Sequence, residues 1–193
     1  MSGWRPGIHL TAEGQQQAER LALRIMRRLK RRNLTAIYSS PLERTMETAL
    51  PIANAAGLPV ETSEAFGEIQ FGEWTGRTLD ELSNLPEWRR FNTQRSMTRI
   101  PGGELMLEVQ SRVLTGMQRL RARHPDGCVA IVSHMDVIKA AVAHFSGIHL
   151  DHLFRFEIAH ASVSIVEVSE DEPRILLLND TGDDTGDDTG EYL

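Results

Sequence analysis

The chain has 193 residues, 40% of them hydrophobic, one cysteine and a formal net charge of −6. That length can bury one substantial core, and Cys128, read as a small core residue opening a strand, excludes an intramolecular disulfide. No apolar run reaches membrane-spanning length and nothing resembles a signal peptide, so a cytoplasmic protein without membrane attachment is expected.

In chain order, the first predicted helix covers residues 11–32, with Ala18, Leu21, Ile25 and Leu29 as its buried stripe. Arg27, Arg28, Lys30, Arg31 and Arg32 gather at its C-terminal end. Cations there complement the helix dipole, and no aromatics interleave with them, so they read as a solvated face and not as a nucleic-acid patch. Next, Ala36-Ile-Tyr-Ser-Ser-Pro-Leu-Glu-Arg44 runs from an apolar strand into a helix. Ser40, Pro41 and Glu43 fit the N-cap, N1 and N3 positions of a capping box, which puts Arg44 in the first turn, beside free N–H groups. The segment Phe66-Gly-Glu-Ile-Gln-Phe-Gly-Glu-Trp-Thr-Gly76 then sets two carboxylates among glycines and aromatics. Such surroundings desolvate a carboxyl and raise its pKa toward general-acid range. Trp74, Trp88, Phe91 and Arg95 are candidates for the mouth of a site.

Met106, Val109, Val113, Met117 and Leu120 repeat at helical spacing and predict a second amphipathic helix. Val129-Ala-Ile-Val-Ser-His-Met-Asp136 is an apolar strand ending at His134, with a helical pattern after it (Val137, Ile138, Ala141, Val142, Phe145). Open α/β sheets place their chemistry at such carboxyl ends. Arg44 and His134 at two strand-to-helix junctions make a site for an oxyanion, most simply a phosphate. His144, His149, His152 and His160 scatter and read as structural or surface groups, and no histidines cluster at metal-ligand spacing. Further strands are expected at 163–168 and 175–178. The last segment, 180–193, repeats Asp-Thr-Gly-Asp and holds six of the 27 acids; without them the body has as many acids as its 21 bases. It reads as an acidic, disordered tail after a domain of residues 1–179. Calcium binding there is disfavoured, because the apolar residues that stack calcium repeats are lacking.

Five ordered motifs resemble the histidine phosphatase superfamily, also called phosphoglycerate mutase-like. His9-Leu-Thr-Ala-Glu-Gly-Gln-Gln-Gln-Ala18 is similar to the family's LT-x-x-G-x-x-Q-A opening, and Tyr38-Ser-Ser-Pro-Leu-Glu-Arg-Thr-Met-Glu-Thr-Ala49 to SSPLxRxxxTA. Glu68-Ile-Gln-Phe-Gly-Glu-Trp-Thr-Gly76 resembles EIxFGxWxG, Pro101-Gly-Gly-Glu104 the PGGE motif, and Val132-Ser-His134 the second histidine motif. The resemblance implies a three-layer α/β/α fold with a mostly parallel sheet. It further implies a metal- and cofactor-independent phosphomonoester hydrolase that forms a phosphohistidine on a small phosphorylated metabolite. By motif position, Arg44 is a phosphate ligand, His134 the second phosphate-binding histidine and Glu68 the general acid; Glu73 is a solvated loop carboxylate. The short span 74–101 leaves little room for the lid of a phosphoglycerate mutase.

The family's nucleophilic histidine lies in an Arg-His-Gly motif after a first, central strand. No Arg-His-Gly occurs in this sequence, whose first ten residues resemble the loop that follows that strand; His9 matches a non-catalytic position. The expectation is therefore a chain with little activity, its first central strand absent through a misplaced start, a fragment or a true loss. Strands 35–38 and 129–132 are expected to flank the resulting slot. The alternative is an inactive remnant that binds inorganic phosphate or forms a homodimer. Met135, where the family commonly has glycine, adds bulk beside the pocket.

Overall fold

The computed structural model describes residues 1–29, 34–168 and 172–182. Thr11 caps helix α1 (Ala12–Arg28), its side chain accepting from the Gly14 N–H, and strand β1 (Leu34–Ser39) follows. Lys30, Arg31 and Arg32 of the expected cationic cluster lie outside the described residues. Next come α2 (Glu43–Ala56) and β2 (Val60–Thr62), then two 3₁₀ turns at Glu64–Phe66 and Gly72–Trp74. Helices α3 (Leu79–Ser83) and α4 (Pro86–Thr93) precede α5 (Met106–Arg123), β3 (Cys128–Val132) and α6 (Met135–Ser146). A 3₁₀ segment, Leu150–Arg155, leads to the antiparallel pair β4 (Val163–Glu167) and β5 (Arg174–Asp180).

The architecture is three-layered α/β/α, and strand alternation creates it. Ile37, Ala130 and Val132 face one side, where they pack with Leu21, Ala22, Ala49, Ile52 and Ala53 of α1 and α2. Ala36, Tyr38, Val129 and Ile131 face the other, where Met106, Val109 and Val113 of α5 and Val137 and Ala140 of α6 complete a second core.

Two expectations need correction. The capping box at Ser40 does not form. Leu42 is the N-cap of α2, so the helix begins two residues later, with Arg44 still in its first turn. The Ser40 hydroxyl lies 2.8 Å from a ring nitrogen of His134, and the Glu43 carboxylate accepts from the Gly7 N–H instead of reaching back to Ser40. Nor do the strands at 35–38 and 129–132 flank a slot. β1 lies parallel to both β2 and β3, with Ile37 opposite Val60 and Ala130 and Tyr38 opposite Glu61 and Ile131. The sheet order is β2-β1-β3, with β4-β5 a separate sheet. Among the described residues β3 is therefore an edge. Its five residues are only half-buried, whereas the last four of β1 are buried. Matched apolar faces let β1 and β3 pair directly, so no slot separates them.

Asp180, assigned above to the tail, ends β5. Its carboxylate accepts from Arg28 at 2.8 Å and lies 3.6 Å from Arg24. Arg24 also donates to the Thr181 carbonyl at 2.7 Å. Residues 183–193, the rest of that segment, lie outside the described residues.

Candidate phosphate-binding site

His134 ends the βα junction after β3 as the N-cap residue of α6, with extended backbone and a side chain only 5% exposed. Its Nε2 lies 2.8 Å from Ser40 Oγ, at the parallel junction after β1. Its Nδ1 lies 3.3 Å from an Arg44 guanidinium nitrogen and 3.6 Å from a Glu68 carboxylate oxygen. Arg44 and Glu68 approach to 3.7 Å. Three side chains far apart in sequence thus meet at the carboxyl edge of the sheet, because β1 and β3 are parallel neighbours and the 64–70 segment crosses their ends.

Electrostatics differentiate the three. Burial, reinforced by the charges of Arg44 and Arg112, lowers the His134 pKa to about 3, so the ring is neutral near pH 7. Burial raises the Glu68 carboxyl to about 7, with Asp136 adding to the rise; a hydrogen bond from the Ile69 N–H and the cations Arg44 and Arg112 oppose it. A carboxyl at that value can carry a proton and release it near neutrality. Arg44 donates to the Gly3 carbonyl at 3.1 Å, while its other terminal nitrogen is buried with no protein acceptor. A buried, unsatisfied guanidinium N–H is costly and is suited to an anion's oxygen.

Glu68 sits on irregular backbone held by its neighbours. The indole N–H of Trp4 donates to the Glu68 carbonyl at 2.6 Å, and Ser133 Oγ donates to the Phe66 carbonyl at 2.7 Å. The Pro101–Glu104 loop comes close enough that a Cβ at Gly103 would stand 2.1 Å from the Gln70 carbonyl oxygen. Only glycine permits that approach.

The residues expected at the mouth are elsewhere. Trp74 and Phe91 are buried and pack edge-to-face, with Trp88 against both. Arg95 is 3% exposed, pairs with Asp136 at 3.0 Å and is sandwiched between the rings of Phe91 and Phe154. Ring contacts draw Trp74, Phe91 and the Arg95 guanidinium into the core, and Trp88 is half-buried against it. Glu73 is exposed, as are His144, His149, His152 and His160, and His9 pairs with Glu47. Met135 is 46% exposed beside His134. Ser40 and Arg112 escape sequence reasoning as parts of the site. Ser40 reads as a cap, and Arg112 reads as one more polar residue on an amphipathic helix. Among the described residues no group of three or more His, Cys, Asp or Glu could hold a metal ion, and no helix is long and apolar enough to cross a membrane.

Comparison with known proteins fits this geometry. A family model described as histidine phosphatase superfamily (branch 1) matches residues 1–181. Phosphoserine phosphatase 1 of Hydrogenobacter thermophilus is 35% identical over 174 residues, covering 89% of this chain and 81% of that protein. The structure of YhfR from Bacillus stearothermophilus has a TM-score of 0.84 at 32% identity, over 93% of this chain and 88% of that one. A mycobacterial glucosyl-3-phosphoglycerate phosphatase in complex with inorganic phosphate shares the fold, with a TM-score of 0.80 at 23% identity, over 94% of this chain and 92% of that one.

Proposed function

Because the chain belongs to branch 1 of the histidine phosphatase superfamily, we propose that Arg44, His134 and Glu68 form the phosphoryl-binding and proton-donating part of a phosphomonoesterase site for a small phosphorylated metabolite. The observation that carries this reading is the buried Arg44 N–H without a protein acceptor, beside a neutral imidazole and a carboxyl whose pKa is near 7. Relatives named as phosphatases support it.

In this reading Arg44 and His134 bind the phosphoryl oxygens and stabilise the charge that builds as the ester bond breaks. Glu68 gives its proton to the leaving alkoxide, which departs as an alcohol. By resemblance, an imidazole takes the phosphoryl group as phosphohistidine. Water then attacks phosphorus, Glu68 recovers a proton from it, and inorganic phosphate leaves. The sequence contains no Arg-His-Gly to supply that imidazole. His134 is poorly placed to substitute, since both ring nitrogens already face Ser40 and Arg44.

That lack favours a second reading for the 193 residues alone, a phosphate-binding protein without turnover. One pair of measurements separates the two: phosphate binding by calorimetry and aryl phosphate turnover, with the chain as it stands and with a strand ending in Arg-His-Gly fused upstream. The phosphatase reading expects binding by both and turnover only by the extended protein. A folded extended protein that binds phosphate without turnover leaves the binding reading, and absence of binding in both overturns both. Rapid turnover by the chain alone, lost in His134→Ala, would make His134 the nucleophile.

A further inference from the structure

Arg112 lies on α5, and its guanidinium is spent on one short stretch of chain. Nη1 donates to the carbonyls of Ala65 and Gly67, both at 2.9 Å, with that of Glu64 at 3.4 Å. Nη2 donates to the Glu68 carbonyl at 3.0 Å and to Glu104 at 3.2 Å, and Nε donates to the other Glu104 oxygen at 2.9 Å. The five N–H groups therefore all have partners. Glu104 in turn accepts from the Gln70 N–H at 2.8 Å and donates its own N–H to the Gln70 carbonyl at 2.9 Å. Residues 64–70 form a 3₁₀ turn and loop, so these carbonyls have no strand ladder to satisfy them. The planar fork supplies that ladder from the side, which an ammonium group cannot do.

We propose that Arg112, braced by Glu104, is a positioning residue for the proton donor: it ties down residues 64–70 so that the Glu68 carboxyl stays out of water, against Arg44 and His134. The proposal rests on the reading of Glu68 as the general acid. Four charged or titratable groups face that carboxyl: Arg44 from α2, Arg112 from α5, and His134 and Asp136 at the start of α6. Arg112 thus acts in two opposed ways. Its charge favours the ionised carboxyl, while its hydrogen bonds maintain the burial that favours the protonated one.

Arg112→Lys separates these effects, because it keeps the charge and removes the fork. The measurement is a carbon-13 NMR titration of the glutamate carboxyls in the full chain, with the Glu68 resonance assigned by its loss in Glu68→Gln. In a folded Arg112→Lys protein the Glu68 midpoint is expected to fall by about one pH unit or more toward the ordinary carboxylate value as water enters. Glu104→Gln, which preserves volume and leaves Arg112 in place, should shift it the same way by less. A midpoint still near 7 in folded Arg112→Lys overturns the proposal, whatever happens to the melting temperature. If that variant does not fold, an unchanged midpoint in Glu104→Gln overturns it equally. Failure of the general-acid reading looks different: Glu68→Gln would leave turnover of the extended protein unchanged while the Arg112→Lys shift persisted.

Discussion

Burial acts on Glu68 and His134 alike, by penalising whichever form is charged, yet it moves their pKa values in opposite directions. The consequence for stability is a pair of opposed pH slopes. Glu68 rises from an ordinary 4.5 to about 7, so its contribution is fully present below 4.5 and is lost as pH climbs through 7. His134 falls from 6.5 to about 3, so its contribution is present above 6.5 and is lost as pH drops through 3. Between 4.5 and 6.5 the slopes largely cancel. Glu68→Gln should therefore give a protein whose stability rises with pH across that window, where the parent is nearly flat. Urea unfolding at a series of pH values tests this, and parallel curves for the two proteins would refute it. Arg44 carries the second prediction at this scale. Replacing it with Met removes the charge and the unsatisfied N–H, and inorganic phosphate affinity should fall about ten- to hundredfold. An affinity within about threefold of the parent by calorimetry would show that the anion binds elsewhere. Arg44 and His134 were legible in the sequence as candidates because each follows an apolar strand at a strand-to-helix junction, and Glu68 was legible through its match to EIxFGxWxG. Ser40 and Arg112 were not, because their partners lie 94 and 44 residues away, at His134 and Glu68.

Among the elements, β3 is the one whose pairing can be tested directly. Among the described residues β1 has strands on both sides and β3 on one, so the strand that leads into His134 is also the open lateral edge of the sheet. Unpaired edge amides exchange readily with solvent. Hydrogen exchange should therefore be faster at the outward-facing amides of Cys128–Val132 than in β1, and an upstream strand ending in Arg-His-Gly should protect them and raise the melting temperature. If the fused strand gives activity without protecting β3, it docks in another register. Sequence periodicity located both strands within a residue or two, because a buried strand must be continuously apolar. It did not show that the two strands pair directly, because an apolar strand reads the same whichever neighbour it faces. The start of α2 shifted for a similar reason: local capping chemistry competed with a longer-range hydrogen bond to His134, and the latter prevailed.

At the scale of the whole molecule, the separate β4–β5 sheet is tied to the rest partly through Asp180. Its carboxylate and Arg28 are both mostly buried, at 17% and 14% side-chain exposure, and Arg24 reaches the adjoining carbonyl of Thr181. Asp180→Asn removes a partly buried carboxylate charge that faces both Arg28 and Arg24, and should cost about 1–3 kcal/mol in denaturant unfolding. A loss below about 0.5 kcal/mol would mark the pair as an ordinary surface contact. The sequence by itself determined the layered α/β class, the amphipathic helices α1 and α5 and the strand-to-helix junctions that carry Arg44 and His134, because hydrophobic period and short motifs are local properties of a chain. Only the tertiary structure decided that β1 and β3 lie side by side, that Trp74, Phe91 and Arg95 belong to the core, and that a guanidinium on α5 holds the loop bearing Glu68. Those outcomes depend on which distant surfaces exclude water together, and no window of sequence contains both halves of such a contact.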